Sequence, residues 1–261
     1  MTVGVQPRPD APRTLRVVEA GLVPYAAALE WQADLHRRRV AGEIEDMVLL
    51  LEHPHVYTLG RRFAPEHLLA DPAALAARGI ELFEADRGGS ITYHGPGQLV
   101  GYPIVALEPP ADAIAYLRSL EEMLIRVCAD FSVAAGQRGG MTGVWVGEQK
   151  LASIGVNVTR GVTKHGFALN VAPDLAFFGG MVPCGLPVEV TSLERLLGVA
   201  PAPERVVASV VRHLAEVLHS RPERVADAGL LGVTMRPEAA VLPFNRPGEA
   251  LSGERDNRSN G

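Results

Sequence analysis

Apolar residues along the chain follow two patterns, which predict strands interleaved with helices. An unbroken apolar run, MVLLL, lies within residues 46–52 and is typical of a buried strand. Apolar residues recur at three- and four-residue spacing within 112–131 and 204–219, which favours amphipathic helices, and a further helix is expected over 24–39. Short apolar segments between 133 and 171, separated by polar or glycine turns, indicate a β-meander. The mixture predicts an α/β (α+β) fold in which helices flank a mixed, largely antiparallel sheet.

The same patterns predict how the chain divides. No internal repeat or low-complexity linker interrupts residues 14–241, so we expect one domain there, with a small C-terminal lobe from about residue 183 as an open alternative. Residues 1–13 have the character of a flexible lead-in. Residues 242–261 lack apolar periodicity and are expected to be disordered.

Charge and cysteine content narrow the functional class. The formal net charge of -5 argues against nucleic-acid binding as the main function. No apolar run approaches the roughly 18 residues of a membrane span, and the N-terminus lacks the apolar core of a secretory signal. The chain has 2 cysteines, too few for a disulfide framework. We therefore expect a cytoplasmic protein with reduced thiols.

A glycine-rich stretch, RGGSITYHGPGQ, occupies residues 87–98 between two apolar, strand-like runs. Glycine inside regular structure costs roughly 0.5–1 kcal/mol, but it lets a backbone approach a ligand closely. The stretch also carries a cation, Arg87, and an imidazole, His94. It is either part of a binding site or a twisted hairpin with bulges.

The two cysteines differ in their surroundings. Cys128 falls on the apolar stripe of a predicted helix and is interpreted as a small core residue. Cys184 lies in a loop, VPCGLP, where it is either a nucleophile or a buried structural thiol. A nearby cation would lower the pKa of its thiol, and Lys150 could supply that cation if the two meet in space. By pattern alone Lys150 is a solvated turn residue.

The histidine pair of HPHVYTLG, His53 and His55, raises the question of a metal site. Apart from Glu52, which directly precedes His53, no carboxylate or cysteine lies close to the pair in sequence, and neither cysteine belongs to a C-x-x-C motif. We therefore interpret both histidines as loop or site-edge residues and expect no metal.

Five motifs in order carry a resemblance to a known family. EHPHVYTLGR, RGGSITYHGPGQ, KLASIG, HGFALN and PCG resemble motifs of the lipoyl/octanoyl-[acyl-carrier-protein]:protein transferases of lipoate biosynthesis. The resemblance runs from about residue 48 to 197. It implies the fold of the biotin and lipoate protein ligase catalytic domains, a mixed sheet flanked by helices.

The resemblance also implies site residues. Cys184 matches the family's acyl-thioester nucleophile, and Lys150 matches the lysine that activates the thiol and transfers protons. The positions that match the acyl-pocket segments are Arg87, Gly88, Gly89, Ser90, Ile91, Thr92, Tyr93, His94, Ser153, Ile154, Gly155, Gly166, Phe167 and Ala168.

The reaction that the resemblance implies is acyl transfer without a cofactor or metal. An octanoyl or lipoyl group would pass from acyl carrier protein to Cys184, and then to a lysine of a lipoyl domain in a 2-oxoacid dehydrogenase complex or the glycine cleavage H protein. Three alternatives remain open: an ATP-dependent lipoate or biotin protein ligase, a cysteine thioesterase or amidase, and a non-catalytic acyl-binding module.

Overall fold

The backbone of the fold is an eight-stranded sheet, seen in a computed structural model that describes residues 13–182 and 188–225. In spatial order the strands are β11 (Ser220–Arg224), β1 (Arg13–Leu22), β2 (Asp46–Glu52), β6 (Gln98–Ile104), β10 (Val162–Asn170), β9 (Gln149–Thr159), β8 (Met141–Val146) and β7 (Gly136–Arg138). β1 runs parallel to β11 and to β2, and the other five pairs are antiparallel. This confirms the mixed, largely antiparallel sheet.

A second sheet of three short strands lies beside the first. β3 (Val56–Leu59) is its central strand, paired in parallel with β4 (Glu81–Glu84) and antiparallel to β5 (Ile91–His94). The glycine-rich stretch therefore connects two sheets, because β5 belongs to the small sheet and β6, which begins at Gln98, belongs to the large one.

Helices cover both faces of the large sheet. α1 (Tyr25–Val40) packs on one face, while α3 (Ala113–Asp130) and α5 (Pro203–Val217) pack on the other. Two short helices, α2 (Pro72–Ala77) and α4 (Leu193–Leu197), and two 3-10 turns, Pro65–His67 and Leu175–Gly180, complete the described elements. None of the helices in the described part of the chain is long and apolar enough to cross a membrane.

The helix layers on the two faces of the sheet explain the unbroken apolar run in β2. Successive strand residues point to opposite faces. Val48 and Leu50 join the core beneath α3 and α5, while Leu49 and Leu51 join the core beneath α1. Neither face of this strand meets water, so the sequence cannot alternate.

The described residues also bear on the predicted boundaries. Arg13, placed in the lead-in by the sequence, is the first residue of β1. The rest of the lead-in and the predicted tail, residues 242–261, lie outside the described residues. The division into one domain or a domain with a small lobe stays a prediction.

Candidate active site

A cavity that opens to solvent lies between the small sheet and the strands β9 and β10. Most residues of the predicted acyl pocket line it, together with Lys150. These lining residues are Arg87, Gly89, Ser90, Ile91, Thr92, His94, Ser153, Ile154, Gly155, Gly166, Phe167 and Ala168. The glycine-rich stretch is far in sequence from the hairpin of β9 and β10, and the fold brings the two together.

Two predicted pocket residues do not line the cavity. The amide of Gly88 donates to the carbonyl of Val156 at 3.0 Å, which fixes the glycine-rich segment to β9. Tyr93 is fully buried in the core of the small sheet, where its hydroxyl lies 2.6 Å from Nδ1 of His55. Both therefore support the wall from behind.

Other lining residues were not predicted from the sequence. They are Tyr25, Tyr102, His165, Phe178, Met181 and Val190. Only His165 carried a usable signal, since it precedes Gly166 in the motif HGFALN. The remaining five reach the cavity through tertiary packing that no local pattern indicates.

Close backbone contact at Gly155 explains the glycine in KLASIG. A Cβ atom at this position would lie 2.9 Å from the carbonyl oxygen of Gly88 and 3.1 Å from Cδ of Arg87. Any side chain would therefore separate β9 from the glycine-rich segment.

Arg87 connects the glycine-rich segment to the small sheet. Its guanidinium donates to the carbonyl of Thr58 at 2.6 Å, to the hydroxyl of Thr58 at 2.8 Å, and to the carbonyl of Gly88 at 3.0 Å. These hydrogen bonds within the protein are typical of a structural anchor.

Asp86 connects the same segment to the large sheet. Its carboxylate lies 2.6 Å from Nε2 of His165, 2.6 Å from Nζ of Lys164, and accepts from Nδ2 of Asn157 at 2.8 Å. The hydrogen bond from His165, together with that from Lys164, lowers the pKa of Asp86 well below its usual range. The carboxylate is therefore charged near neutral pH.

A relay of buried amides leads away from His94. Nδ1 of His94 lies 2.7 Å from Oε1 of Gln98, Nε2 of Gln98 donates to Oδ1 of Asn170 at 2.9 Å, and Nδ2 of Asn170 donates to the carbonyl of Thr191 at 3.0 Å. Gln98 therefore presents its oxygen to His94, which assigns the proton to Nδ1. Burial lowers the pKa of His94 well below its ordinary value, so the ring is neutral and Nε2 is a hydrogen-bond acceptor.

Lys150 is the second residue of β9, at the point where this strand meets residues 189–191. Its amide donates to the carbonyl of Glu189 at 2.8 Å, and the amide of Thr191 donates to the Lys150 carbonyl at 3.0 Å. Its side chain is buried and carries the ammonium over the ring of Trp145, 5.3 Å from the centroid. The prediction of a solvated turn residue from pattern alone is therefore wrong.

The structure describes one of the two cysteines. Cys128 is fully buried in α3, and burial raises the pKa of its thiol to about 12, which makes it inert at neutral pH. Cys184 lies outside the described residues.

The histidine pair also serves packing. His53 is fully buried, with Nδ1 2.6 Å from the carbonyl of Val23 and Nε2 2.7 Å from the hydroxyl of Tyr102. Residues 13–182 and 188–225 contain no cluster of three or more histidine, cysteine or acidic side chains that could hold a metal ion.

Comparison with known proteins identifies the family. Residues 24–215 match the model of the lipoyl protein ligase A/B catalytic domain. An octanoyltransferase of Solibacter usitatus is 49% identical over 200 residues, which cover 76% of this chain and 90% of that protein. The chain belongs to the octanoyltransferase family. A second octanoyltransferase, from Gloeobacter violaceus, is 52% identical over 182 residues, covering 69% of this chain and 80% of that protein.

Octanoyltransferases are acyltransferases, so membership confirms the enzyme class and the octanoyl transfer in protein lipoylation that the motifs predict. A solved structure described as lipoate-protein ligase A bound with ATP superimposes with a TM-score of 0.67 at 18% identity, covering 83% of this chain and 90% of that one. At this identity the likeness shows the shared fold alone. It confirms the predicted ligase-like architecture of the octanoyltransferase.

The burial of His53 predicts a pH dependence of stability. Burial lowers the pKa of His53 to about 4, below the ordinary value of about 6.5. As pH falls from 6.5 to 4, the unfolded chain takes up a proton that the folded chain refuses, so the free energy of unfolding falls. We expect His53 alone to contribute a loss of about 3 kcal/mol over this range.

Urea unfolding at several pH values measures this contribution. The His53→Gln variant should lose stability less steeply than the wild type between pH 6.5 and 4, whatever its stability at neutral pH. His219→Gln, at an exposed position, is the matched control. Parallel pH profiles for His53→Gln and the wild type would contradict the assignment.

Proposed function

We propose that this octanoyltransferase moves an octanoyl or lipoyl group from acyl carrier protein to a lysine of a lipoyl domain through a thioester on Cys184, with Lys150 as its acid and base. The observation that carries the proposal is the position of Lys150. Its buried side chain lines the cavity, and its backbone is hydrogen-bonded to residues 189 and 191, shortly after Cys184 in the chain.

Covalent geometry supports the pairing of Cys184 with this cavity. Met181, before the cysteine motif, and Val190, after it, both line the cavity. Cys184 follows Met181 by three positions, and three fully extended residues span at most about 11 Å. A segment of this length allows the thiol to reach a substrate in the cavity.

The first half-reaction forms the acyl-enzyme. The thiolate of Cys184, having given its proton to Lys150, attacks the thioester carbonyl of the octanoyl donor. A carbon–sulfur bond to Cys184 forms, the bond to the carrier sulfur breaks, and Lys150 returns the proton to the departing carrier thiolate. Backbone amides of the glycine-rich segment are candidates for stabilising the oxyanion.

The second half-reaction forms the amide. The amine of the acceptor lysine attacks the thioester on Cys184, the carbon–sulfur bond breaks, and Lys150 takes the proton that the amine loses. The amide is more stable than the thioester, so these steps require neither ATP nor a metal. The neutral Nε2 of His94, in the wall of the same cavity, is suited to accept a hydrogen bond from the incoming amine.

The cavity wall fits a fatty acyl chain. Apolar side chains from both sheets and from the loop before the cysteine face it: Ile91, Ile154, Phe167, Phe178 and Met181. Burial stabilises each methylene by about 0.8 kcal/mol, so an eight-carbon chain gains up to about 5 kcal/mol.

A pair of arginines lies where an acidic carrier could dock. Arg61 and Arg62 are exposed, and their amides donate to the carbonyls of Arg87 at 3.1 Å and Gly89 at 3.0 Å. Their backbone is thus fixed to the segment that lines the cavity. Acyl carrier proteins are acidic, and complementary charge accelerates association and orients the partner.

The acceptors are lipoyl domains of 2-oxoacid dehydrogenase complexes and the glycine cleavage H protein, and the enzyme acts in the cytoplasm, where the thiol stays reduced. An ATP-dependent ligase shares this fold, so a requirement for ATP, and not the architecture, distinguishes the two activities.

Incubation with octanoyl-carrier protein should add one octanoyl group to the protein, measured by intact mass. Cys184→Ala should abolish the adduct and lower transfer to a lipoyl domain by at least about a thousandfold, since no nucleophile remains. Cys128→Ala is the matched control and should form the adduct as the wild type does.

An adduct that persists in Cys184→Ala would refute the thioester on this residue. Transfer only in the presence of ATP would favour the ligase. Equal release of octanoate with and without a lipoyl domain would favour the thioesterase.

Replacing Lys150 should slow alkylation of Cys184. Without the adjacent cation the pKa of the thiol moves toward its ordinary value of about 8.5, and the thiolate fraction at pH 6.5 falls at least about tenfold. The rate of iodoacetamide modification, measured from pH 5 to 9 in a Cys128→Ala background, gives this shift. Superimposable profiles for Lys150→Ala and its parent would remove Lys150 from the activation role.

Charge reversal at the two arginines should weaken use of the donor. Arg61→Glu combined with Arg62→Glu should raise the KM for octanoyl-carrier protein several-fold and leave the KM for the lipoyl domain unchanged. Arg37→Glu with Arg221→Glu makes the same change in net charge at exposed positions of α1 and β11, outside the loop that is bonded to the glycine-rich segment. If both double variants raise the donor KM equally, the docking role is excluded.

A further inference from the structure

The side chain of Lys150 runs across a glycine in the neighbouring strand. A Cβ atom on Gly143 of β8 would lie 2.5 Å from the carbonyl oxygen of Ala152, 2.8 Å from Cε of Lys150 and 3.5 Å from its Nζ. All but the last distance are well inside van der Waals contact, so one methyl group at residue 143 would collide with the backbone of β9 and displace the ammonium end of the lysine. The glycine provides the space in which that end lies.

The backbone around Gly143 is irregular in a way that favours this approach. Gly143 has a φ of +123°, a conformation that residues with side chains rarely adopt. Beside it, Val144 pairs with Ala152 while Trp145 pairs with Lys150, which leaves Leu151 as an extra residue in β9. Such a bulge changes the direction of the side chains next to it, and here the reoriented side chain is that of Lys150.

A buried carboxylate fixes this irregular backbone from the opposite side of the sheet. Glu121 of α3 is fully buried, and its Oε1 accepts a hydrogen bond from the amide of Gly143 at 2.9 Å. Its Oε2 accepts from the partly exposed Arg118 at 2.5 Å. Burying a carboxylate is costly unless it is hydrogen-bonded and paired, and the neighbouring buried positions of the helix, Leu120 and Leu124, are apolar. Packing alone does not require a glutamate here.

We propose that Glu121 and Gly143 are positioning residues for Lys150: the carboxylate holds the Gly143 amide in its irregular conformation, and the glycine leaves open the space that the lysine side chain occupies. The inference rests on the proposed function, in which Lys150 activates Cys184. Trp145, whose ring lies beneath the ammonium, forms the other side of the same groove.

The test is the rate of Cys184 alkylation against pH in a Cys128→Ala background. Gly143→Ala should shift the profile upward by about one pH unit and slow alkylation at pH 6.5 by about tenfold, because the cation moves away from the thiol. Gly147→Ala is the control in the adjoining hairpin turn: Gly147 has a positive φ of 57°, but no atom lies within 4 Å of the added Cβ. Its profile should match the parent.

A double-mutant cycle separates positioning from general damage to the sheet. If Gly143→Ala acts through the lysine, it should change the alkylation rate less than twofold in a Lys150→Ala background. An equal slowing with and without Lys150 would overturn the inference. A Gly143→Ala profile that matches the parent would also overturn the inference. The proposed function would survive that result if Lys150→Ala slows alkylation in the same series.

Variants of Glu121 provide a second route that avoids the backbone strain of Gly143→Ala. Glu121→Gln keeps an oxygen for the Gly143 amide and should retain alkylation within about twofold of the parent, whereas Glu121→Leu leaves that amide without a partner and should reproduce the tenfold loss. Parent-like alkylation in a folded Glu121→Leu variant would overturn the part assigned to the carboxylate. If Lys150→Ala itself leaves alkylation unchanged, the dyad of the proposed function fails and the positioning roles fail with it.

Discussion

Two adjacent residues of opposite charge fix the geometry of the cavity. Arg87 is hydrogen-bonded to Thr58 of the small sheet, and Asp86 is paired with Lys164 and His165 of the large sheet. Residues joined by a single peptide bond are therefore anchored to different sheets. The glycines that follow them have little freedom to move away from β9. The two anchors, together with the hydrogen bond from Gly88 to Val156, hold the lining residues of the glycine-rich segment against the large sheet.

The large sheet contributes the opposite wall, and its burial explains why this wall is rigid. β2, β6 and β10 are covered on both faces by helices, so a shift of any one strand would expose apolar side chains to water. His165, the polar side chain of β10 that lines the cavity, is itself hydrogen-bonded to Asp86. The site is thus built from a rigid strand pair on one side and an anchored loop on the other, which is the arrangement that holds reacting groups in place.

Much of the fold could be read from the sequence, because its signals are local. The run MVLLL indicates a strand that is buried on both faces. The spacing of apolar residues predicts the bounds of α3 and α5 to within two residues. The second sheet could not be predicted. β3 pairs with β4 and β5, and these pairings join residues 25 to 38 positions apart with no periodic pattern to indicate them. β11 was not predicted for the same reason, since its partner β1 lies at the other end of the described chain. The glycine motifs located most of the cavity wall, whereas Tyr25, Tyr102 and Val190 reach it only through tertiary packing.

The pairing of Lys150 with residues 189–191 has a consequence for motion. β10 ends its pairing with β9 at Ala152, and beyond that point the segment 189–191 takes the position beside β9 that β10 no longer fills. The lysine and the chain that follows the cysteine motif are thus neighbours in one ladder of backbone hydrogen bonds. A local opening that releases one of them breaks the bonds of both, so Lys150 and residues 189–191 share a single unit of local unfolding. A conformational change that admits a large acceptor to the cavity must leave these backbone hydrogen bonds intact, or the side chain of Lys150 loses its alignment while they are broken.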